Sequence, residues 1–552
     1  MPLFKDAVIL NQLMRQLGDV VTLAADTFLI ATVIVIAGFG LFIAVASSRR
    51  KGSHRLFNFF VAGQTLPPAL AGQVYWGNSL ALGNGIAFFA TLALFWGPAA
   101  FWVQIPWAIG MVLLGYVAPL IGQATQRDTI HGFLGNKIGF GARGLTSLVT
   151  TFGFVLNLGF EVMIGALLIS YLLGSTEIII PAIIVISIFF AAYCNIGGYR
   201  ANALTDRIQN ILGVFVVAGL VCYYWVLAPE SIVAGRVEFI TTVTDFANVP
   251  IWAFGGMCLY AFFVQFVDMS NWQNISATRL SGGDWKKKIR GEFRIAAILS
   301  LIVPGALCVA LSAPLAGRDL ADEAVVGELL LGALPTAGVF AGVIWGFALL
   351  ALLGTMQSTA DSFLMAATQT TSWDLFDRNR VGKALSAYAE DDEIIESSKD
   401  LSLPYDDDGS DDLDELRGNK LERLEYDITR TSRLALFPIS LIGSLSLFLI
   451  SQYLTKDIIQ LMFLIFGSQL ALVPATTVAL IAMKRGAAIS SKARPILLAS
   501  ILLGFAAGVS TMFVNPFVPG IVDFASYFSL GSSLAVLLIA WVISGRQIIE
   551  LA

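Results

Sequence analysis

Residues 344–376 read IWGFALLALLGTMQSTADSFLMAATQTTSWDLF, an apolar run long enough to cross a bilayer with four hydroxyls set into its middle. Thr355, Ser358, Thr359 and Ser362 stand at i, i+3, i+4 and i+7, so a helix places all four on one face. Within lipid such a stripe must find partners. Two are open to it. Neighbouring helices are one, since Ser and Thr commonly join membrane helices. A small hard cation such as Na+, which takes several neutral oxygen ligands, is the other.

Runs of this kind recur along the 552 residues, which are 57% hydrophobic with a mean hydropathy of +0.77. They predict an all-α polytopic membrane protein with about thirteen transmembrane helices, at 24–47, 69–95, 97–121, 145–173, 177–195, 207–228, 251–268, 295–313, 336–374, 433–453, 457–483, 495–514 and 521–544. The first 23 residues are mixed polar and the first apolar run is long, which argues against a cleavable signal peptide. Basic residues fall mainly in alternate loops: Arg49, Arg50, Lys51 and Arg55, then Arg127, Lys137 and Arg143, then 279–294, then Lys484, Arg485, Lys492 and Arg494. The opposite loops carry little beyond Arg236, Arg318 and Lys456. The first set is therefore expected inside, with the N-terminus external and the C-terminus cytoplasmic, in the plasma (inner) membrane.

The net charge of −5 hides an asymmetry. Residues 390–415 hold thirteen acids against Lys399 alone, and without that net −12 the remainder stands at +7. Such an acidic block reads as a solvated cytoplasmic insertion, with docking of a cytoplasmic partner as its functional alternative. The four cysteines lie in or beside spans without CxxC spacing and read as small core residues without disulfides. Two histidines, His54 and His131, leave no basis for a transition-metal site. No GxSxG, phosphate-cradling loop or paired-acid constellation is present, so the chain does not read as an enzyme or an ATP-driven pump. Nothing in it points to nucleic acid.

Span 69–95 contains GQVYWGNSLALGNG, whose clustered glycines and Asn78, Ser79 and Asn84 predict an unwound segment that exposes backbone carbonyls. Five spans later, 251–268 contains Gly255 and Gly256. Two interrupted helices five spans apart are what an inverted five-helix repeat predicts, and packing glycines are the plain alternative. Glu161 sits far from either end of its span, with Asn157 one turn before it. A carboxylate there binds a cationic substrate group, binds a coupling ion, or pairs with a neighbour. Gln104 and Gln265 are weaker cases of the same kind, and Trp76 and Tyr260 are aromatic wall residues or ordinary packing. Asp206 begins span 207–228, either as a surface acid at a helix start or as a negative charge on a cation's inner route.

Several motifs together resemble the sodium:solute symporter family, which includes sodium/proline and sodium/galactose symporters. Gly197, Gly198, Thr205, Asp206 and Gln209 in NIGGYRANALTDRIQ match one family pattern. Met356, then Ser358, Thr359, Asp361, Ser362 and Leu364, with Asp374 closing the span, match another. AGQTLP at 62–67 and TIHGFLGNKIGFGARGL at 129–145 resemble the family's leads into two further spans. The chain departs from the pattern at Asn274, where the family usually has Arg after Asp268 and Gln273, and in the acidic insertion.

The resemblance implies a leucine-transporter-type core, an inverted five-helix repeat with one extra N-terminal helix. It divides the chain into an external N-terminus and leading helix at 1–47, a first repeat at 69–228, a second at 251–483 carrying the insertion 390–415, and two C-terminal helices at 495–544. It implies a Na+ site made by the Ser358 and Thr359 hydroxyls with carbonyls of Thr355, Gly77 and Leu80, and Asp206 on the ion's exit path. The expected function is sodium-coupled symport of a small polar organic solute by alternating access. Candidate substrate contacts are Gln73, Trp76, Asn78, Gln104, Glu161, Tyr260 and Gln265. Two alternatives stay open: a transporter-like sensor signalling through the acidic loop, and a proton-coupled symporter with Glu161 or Asp361 carrying the proton.

Overall fold

The structure is a computed structural model and describes residues 35, 38–49, 56–125, 129–222, 246–247, 249–315, 341–376, 380–381, 411–453, 458–543 and 548–550. Most of the expected leading helix 24–47 and most of the acidic insertion 390–415 lie outside these residues.

Among the described residues, eight helical stretches are long and apolar enough to cross a membrane. That number is consistent with about thirteen spans, because several stretches join two expected spans and others are only partly described. The chain runs through α1 (Gly38–Ser48) and α2 (Leu56–Val61) into α3 (Pro68–Gly77), which breaks and resumes as α4 (Phe88–Trp96). A tight turn at Gly97–Val103 leads to α5 (Gln104–Thr125). Next come the short α6 (Ile130–Ile138), α7 (Phe140–Leu173) and α8 (Ile179–Cys222). The second half opens with α9 (Ile251–Phe263), which breaks before α10 (Met269–Thr278). It continues with α11 (Trp285–Leu315), α12 (Ala341–Gln369), α13 (Asp411–Tyr453), and α14 (Ile458–Gly467) running through a tight turn into α15 (Val473–Lys484). Two flanking helices, α16 (Ala493–Val514) and α17 (Ala525–Ile543), pack on each other. A two-residue antiparallel pairing, Ala488–Ile489 with Ile549–Glu550, is the one sheet among the described residues.

The packing sorts the helices into two groups. In one, α11 lies along α5, α3 and α4, and α9 packs on α5, so both broken helices belong to it. In the other, α12 packs on α8 and α7, and α13 on the same two helices. The groups meet where α3 and α11 pack on α8, and where the restart of the first broken helix, Leu82–Ala87, rests on α7 and α12.

Helix α8 fuses the expected spans 177–195 and 207–228 across a kink at Gly198, with φ 60° and ψ −169°. That backbone region is open in practice only to glycine. A Cβ there would also lie 2.9 Å from both the ring and the carbonyl oxygen of Phe59. We expect Gly198→Ala to cost about 2–3 kcal/mol, visible as a lower thermal midpoint of the purified protein. An unchanged midpoint would contradict this account of the kink.

Candidate functional site

At the first break, α3 ends at Gly77 and residues 78–81 leave the helix before it resumes at Leu82. The turn is held by Ser79 N–H donating to the Trp76 carbonyl (2.9 Å) and Leu80 N–H to the Gly77 carbonyl (2.9 Å). The chain doubles back so closely that a Cβ on Gly85 would lie 2.6 Å from the Ser79 carbonyl oxygen, and no side chain fits there. The unwinding expected from the glycine cluster is thus present, and its position is fixed by this crowding.

A helix that restarts inside a membrane presents unsatisfied N–H groups to a medium without water. Glu161 of α7, fully buried, takes two of them: Gly83 N–H donates to Oε2 and Asn84 N–H to Oε1, each at 2.8 Å. Of the three roles open to Glu161, the structure shows pairing, and the pair is the positive end of a half-helix.

The second break differs from expectation in place. Gly255 and Gly256 are continuous helix in α9, where added Cβ atoms would collide with the Tyr527 hydroxyl and lie 2.9 Å from the Phe463 ring, so they are packing glycines. The helix instead tightens at Val264–Phe266 and breaks before Met269. Asp268 caps the new start, its Oδ1 accepting from Ser270 N–H (2.7 Å), the Ser270 hydroxyl (2.5 Å) and Asn271 N–H (3.3 Å). The carbonyls freed by the break are met by side chains: Asn271 Nδ2 donates to Gln265 O (3.0 Å) and Trp272 Nε1 to Phe266 O (2.9 Å). Each half-helix start therefore carries one carboxylate cap.

Between the breaks lies a cavity of about 690 Å³, counting its mouth. Asn78, Gln104, Tyr260 and Gln265 line it, among the residues expected to touch substrate; Gln73, Trp76 and Glu161 do not. Gln265 is already engaged, its Oε1 accepting from the Tyr75 hydroxyl at 2.5 Å. The sequence reading missed Asn84, Trp107, Phe466 and Asp268 as wall residues. Asn84 stood in the quoted glycine-rich stretch, whereas nothing in the sequence distinguished Trp107 from an ordinary membrane aromatic.

A second cluster lies behind the break, between α8 and α12. The side chains of Asp206, Ser358, Thr359 and Asp361 are fully buried and Ser362 nearly so. Among the described residues, no side chain outside the cluster pairs with either carboxylate or with these three hydroxyls; Ser358 lies against Asp206 and Ser362 against Asp361. Asp206 lies beside Ser358 and near enough to Asp361 for their charges to interact. Asp206 is thus no surface acid at a helix start; the fused α8 carries it into the interior. Thr355 differs from its neighbours, since its hydroxyl donates to the Leu352 carbonyl at 2.9 Å. Its methyl and the Leu80 side chain both approach Gly213, while Asn210, one turn beyond Asp206, reaches Gly77. Of the residues expected to hold sodium, Ser358, Thr355, Gly77 and Leu80 therefore lie around one stretch of α8, residues 206–213, with Thr359 next to Ser358 on α12.

The end of the molecule where α3 begins is closed by polar contacts. Gln64 Nε2 donates to Ser276 Oγ (3.0 Å), Leu66 N–H to the Ala277 carbonyl (2.8 Å), and Gln273 Nε2 to the Phe60 carbonyl (2.9 Å) and Gln369 Oε1 (2.8 Å). Asn274, where the family resemblance leads one to expect Arg, accepts from the Tyr199 hydroxyl instead. Nearby, Asp374 accepts from Arg143 Nε (2.7 Å) and from Thr129, which also caps α6 by accepting from Gly132 N–H (3.0 Å). In that corner burial first, and then the Arg143 charge, push His131 down to about 3, so its ring stays neutral.

No protein-family model matches the chain, and no curated protein matches it in sequence. Solved structures do match in fold. A Na+-coupled sialic acid symporter in a substrate-bound, outward-open state is 14% identical, covers 93% of this chain and 98% of its own, and superposes with a TM-score of 0.61. A manganese transporter from Eremococcus coleocola is 12% identical over 88% of this chain and 96% of its own, with a TM-score of 0.49. A nucleobase-cation-symport-1 family transporter in a closed conformation is 12% identical over 90% and 97%, with a TM-score of 0.47. What the likeness to the first of these shows is the fold: an all-helical membrane bundle of the leucine-transporter type.

Proposed function

We propose that the chain is a sodium-coupled symporter of a small polar organic solute, of the sodium:solute symporter kind, working by alternating access in the plasma membrane. The observation that supports the reading is the cluster of buried oxygens on Asp206, Ser358, Thr359, Asp361 and Ser362, two carboxylates among them, with no side-chain donor from outside the cluster among the described residues. Buried polar atoms without partners are costly, and two neighbouring buried carboxylates more so. A monovalent cation coordinated there relieves both costs at once. The five-helix halves are assigned to 69–228 and 251–483, with the N-terminus outside and the C-terminus inside. Sodium bound behind the first break would brace it against α8 and α12 and so favour the cavity's binding-competent shape. Linkage then requires solute to strengthen sodium binding by the same factor. The polar closure at the start of α3 would be the inner gate, and release would run past Asp206.

Thr359→Ala is expected to raise the sodium concentration for half-maximal uptake about tenfold, the worth of one lost oxygen ligand. Thr355→Ala is expected to leave it unchanged, since the Thr355 hydroxyl is already spent on Leu352. Uptake into liposomes over a range of sodium concentrations measures both; an unchanged sodium dependence in Thr359→Ala removes that hydroxyl from the site.

A second reading has one observation in its favour. A proton shared by the same carboxylate pair would remove one of its two negative charges, as a sodium ion would, making the chain a proton-coupled symporter. Uptake driven by a pH gradient in sodium-free buffer would support that reading and overturn the first.

A further inference from the structure

The cavity between the breaks has an uneven chemistry. Asn78, Asn84, Gln104, Ser79 and the indole of Trp107 all line it, and each has at least one buried polar atom without a hydrogen bond. Ser79 and Gln104 are only 7% and 4% exposed, so their unmet groups are buried in the cavity wall and not on the protein surface. The lining also includes apolar and aromatic side chains, among them Tyr260 and Phe466, whose rings stack with centroids 5.5 Å apart and an interplanar angle of 15°. Among the described residues no Lys, Arg or His lines the cavity, and the one acidic side chain that does is Asp268. The α10 start holds Oδ1 of that carboxylate, while none of the described residues donates to Oδ2.

Resting on the symport reading above, we infer that the cavity selects an uncharged or singly positive solute and rejects carboxylates and phosphates. The solute carries N–H or O–H donors along one edge, for Asp268 and the carboxamide oxygens, and an apolar ring or chain face for Tyr260 and Phe466. An anion placed here would lose its water without gaining a counter-charge and would face Asp268. A coupling cation does not rescue it, because Asp206, Ser358, Thr359 and Asp361 are not cavity wall residues. Sites built from unmet hydrogen-bonding groups also discriminate strongly against solutes that leave those groups unpaired.

The test titrates the purified full chain, in lipid nanodiscs and sodium chloride, with matched pairs: nicotinamide and nicotinate, galactose and galacturonate, prolinamide and proline. Choline and uracil complete the panel, and tryptophan fluorescence and the thermal midpoint are read together. The expected result is saturable binding by at least one uncharged or cationic member, with any carboxylate partner at least tenfold weaker. Gln104→Leu should weaken that binding about tenfold while keeping the ligand-free thermal midpoint. Saturable binding by a carboxylate at equal or lower concentration overturns the inference, as does a panel in which no uncharged or cationic member binds. Repeating the titration in potassium separates the two readings. Neutral-solute binding indifferent to sodium keeps the cavity inference and overturns sodium coupling. Sodium-dependent binding of a carboxylate does the reverse.

Discussion

Asp361→Asn is expected to weaken sodium binding by about a hundredfold or more and to raise the thermal midpoint in sodium-free buffer. Both effects follow from one arrangement. Asp361 and Asp206 are buried together with no side-chain donor beyond the neighbouring Ser362 and Ser358 hydroxyls, so without a cation their charges oppose each other wherever both are ionised. Replacing one carboxylate with a neutral amide removes that opposition, which stabilises the empty protein. It also removes an ion ligand: a full charge about 4 Å from a cation is worth about 4 kcal/mol at an effective dielectric of about 20. That corresponds to between two and three decades of affinity. The stabilisation sodium gives the wild-type protein should therefore vanish in the variant. A variant that melts earlier than wild type without sodium, yet binds sodium normally, would show Asp361 to be a structural group. Ser358→Ala combined with Thr359→Ala separates the two coupling ions, because it removes neutral ligands that sodium needs and a proton does not. A double variant that loses sodium-driven uptake but keeps uptake driven by a pH gradient would identify the proton as the coupling ion.

Glu161→Ala is expected to destabilise the protein by about 2–6 kcal/mol without specifically changing sodium affinity. Its carboxylate accepts two buried amide N–H groups at 2.8 Å. Truncation leaves both unmet at roughly 1–3 kcal/mol each and removes the negative charge from a half-helix start. Glu161→Gln should fall between wild type and Ala in thermal midpoint, because its amide offers one acceptor where the carboxylate offers two. The order wild type, Gln, Ala in melting is the expected result. Equal midpoints, with loss of binding confined to cationic solutes, would instead make Glu161 a substrate ligand.

The sequence was most informative where chemistry and periodicity coincide. The hydroxyl stripe of 355–362 could be read directly, because helical spacing fixes the face and lipid forbids idle polar groups. The glycine cluster around residues 77–85 located the first break for a similar reason: a turn that brings residue 85 against the Ser79 carbonyl leaves no room for a Cβ. The second break was misplaced at Gly255 and Gly256, since glycine serves close helix packing as readily as unwinding. The break is marked instead by Asp268, whose capping role depends on which backbone N–H groups point at it. Glu161 was legible as anomalous but not as a cap, because its partners lie 77 and 78 residues away in sequence. The burial of Asp206 was hidden by the Gly198 kink, which turns two expected spans into one bent helix.

The most direct test of the account is equilibrium binding of radiolabelled sodium to the purified protein, with and without excess potassium, in wild type and in Asp361→Asn. The account predicts saturable binding that potassium does not displace and that the variant loses. Absence of saturable sodium binding to the wild-type protein, at a pH where its fold is intact, would contradict it.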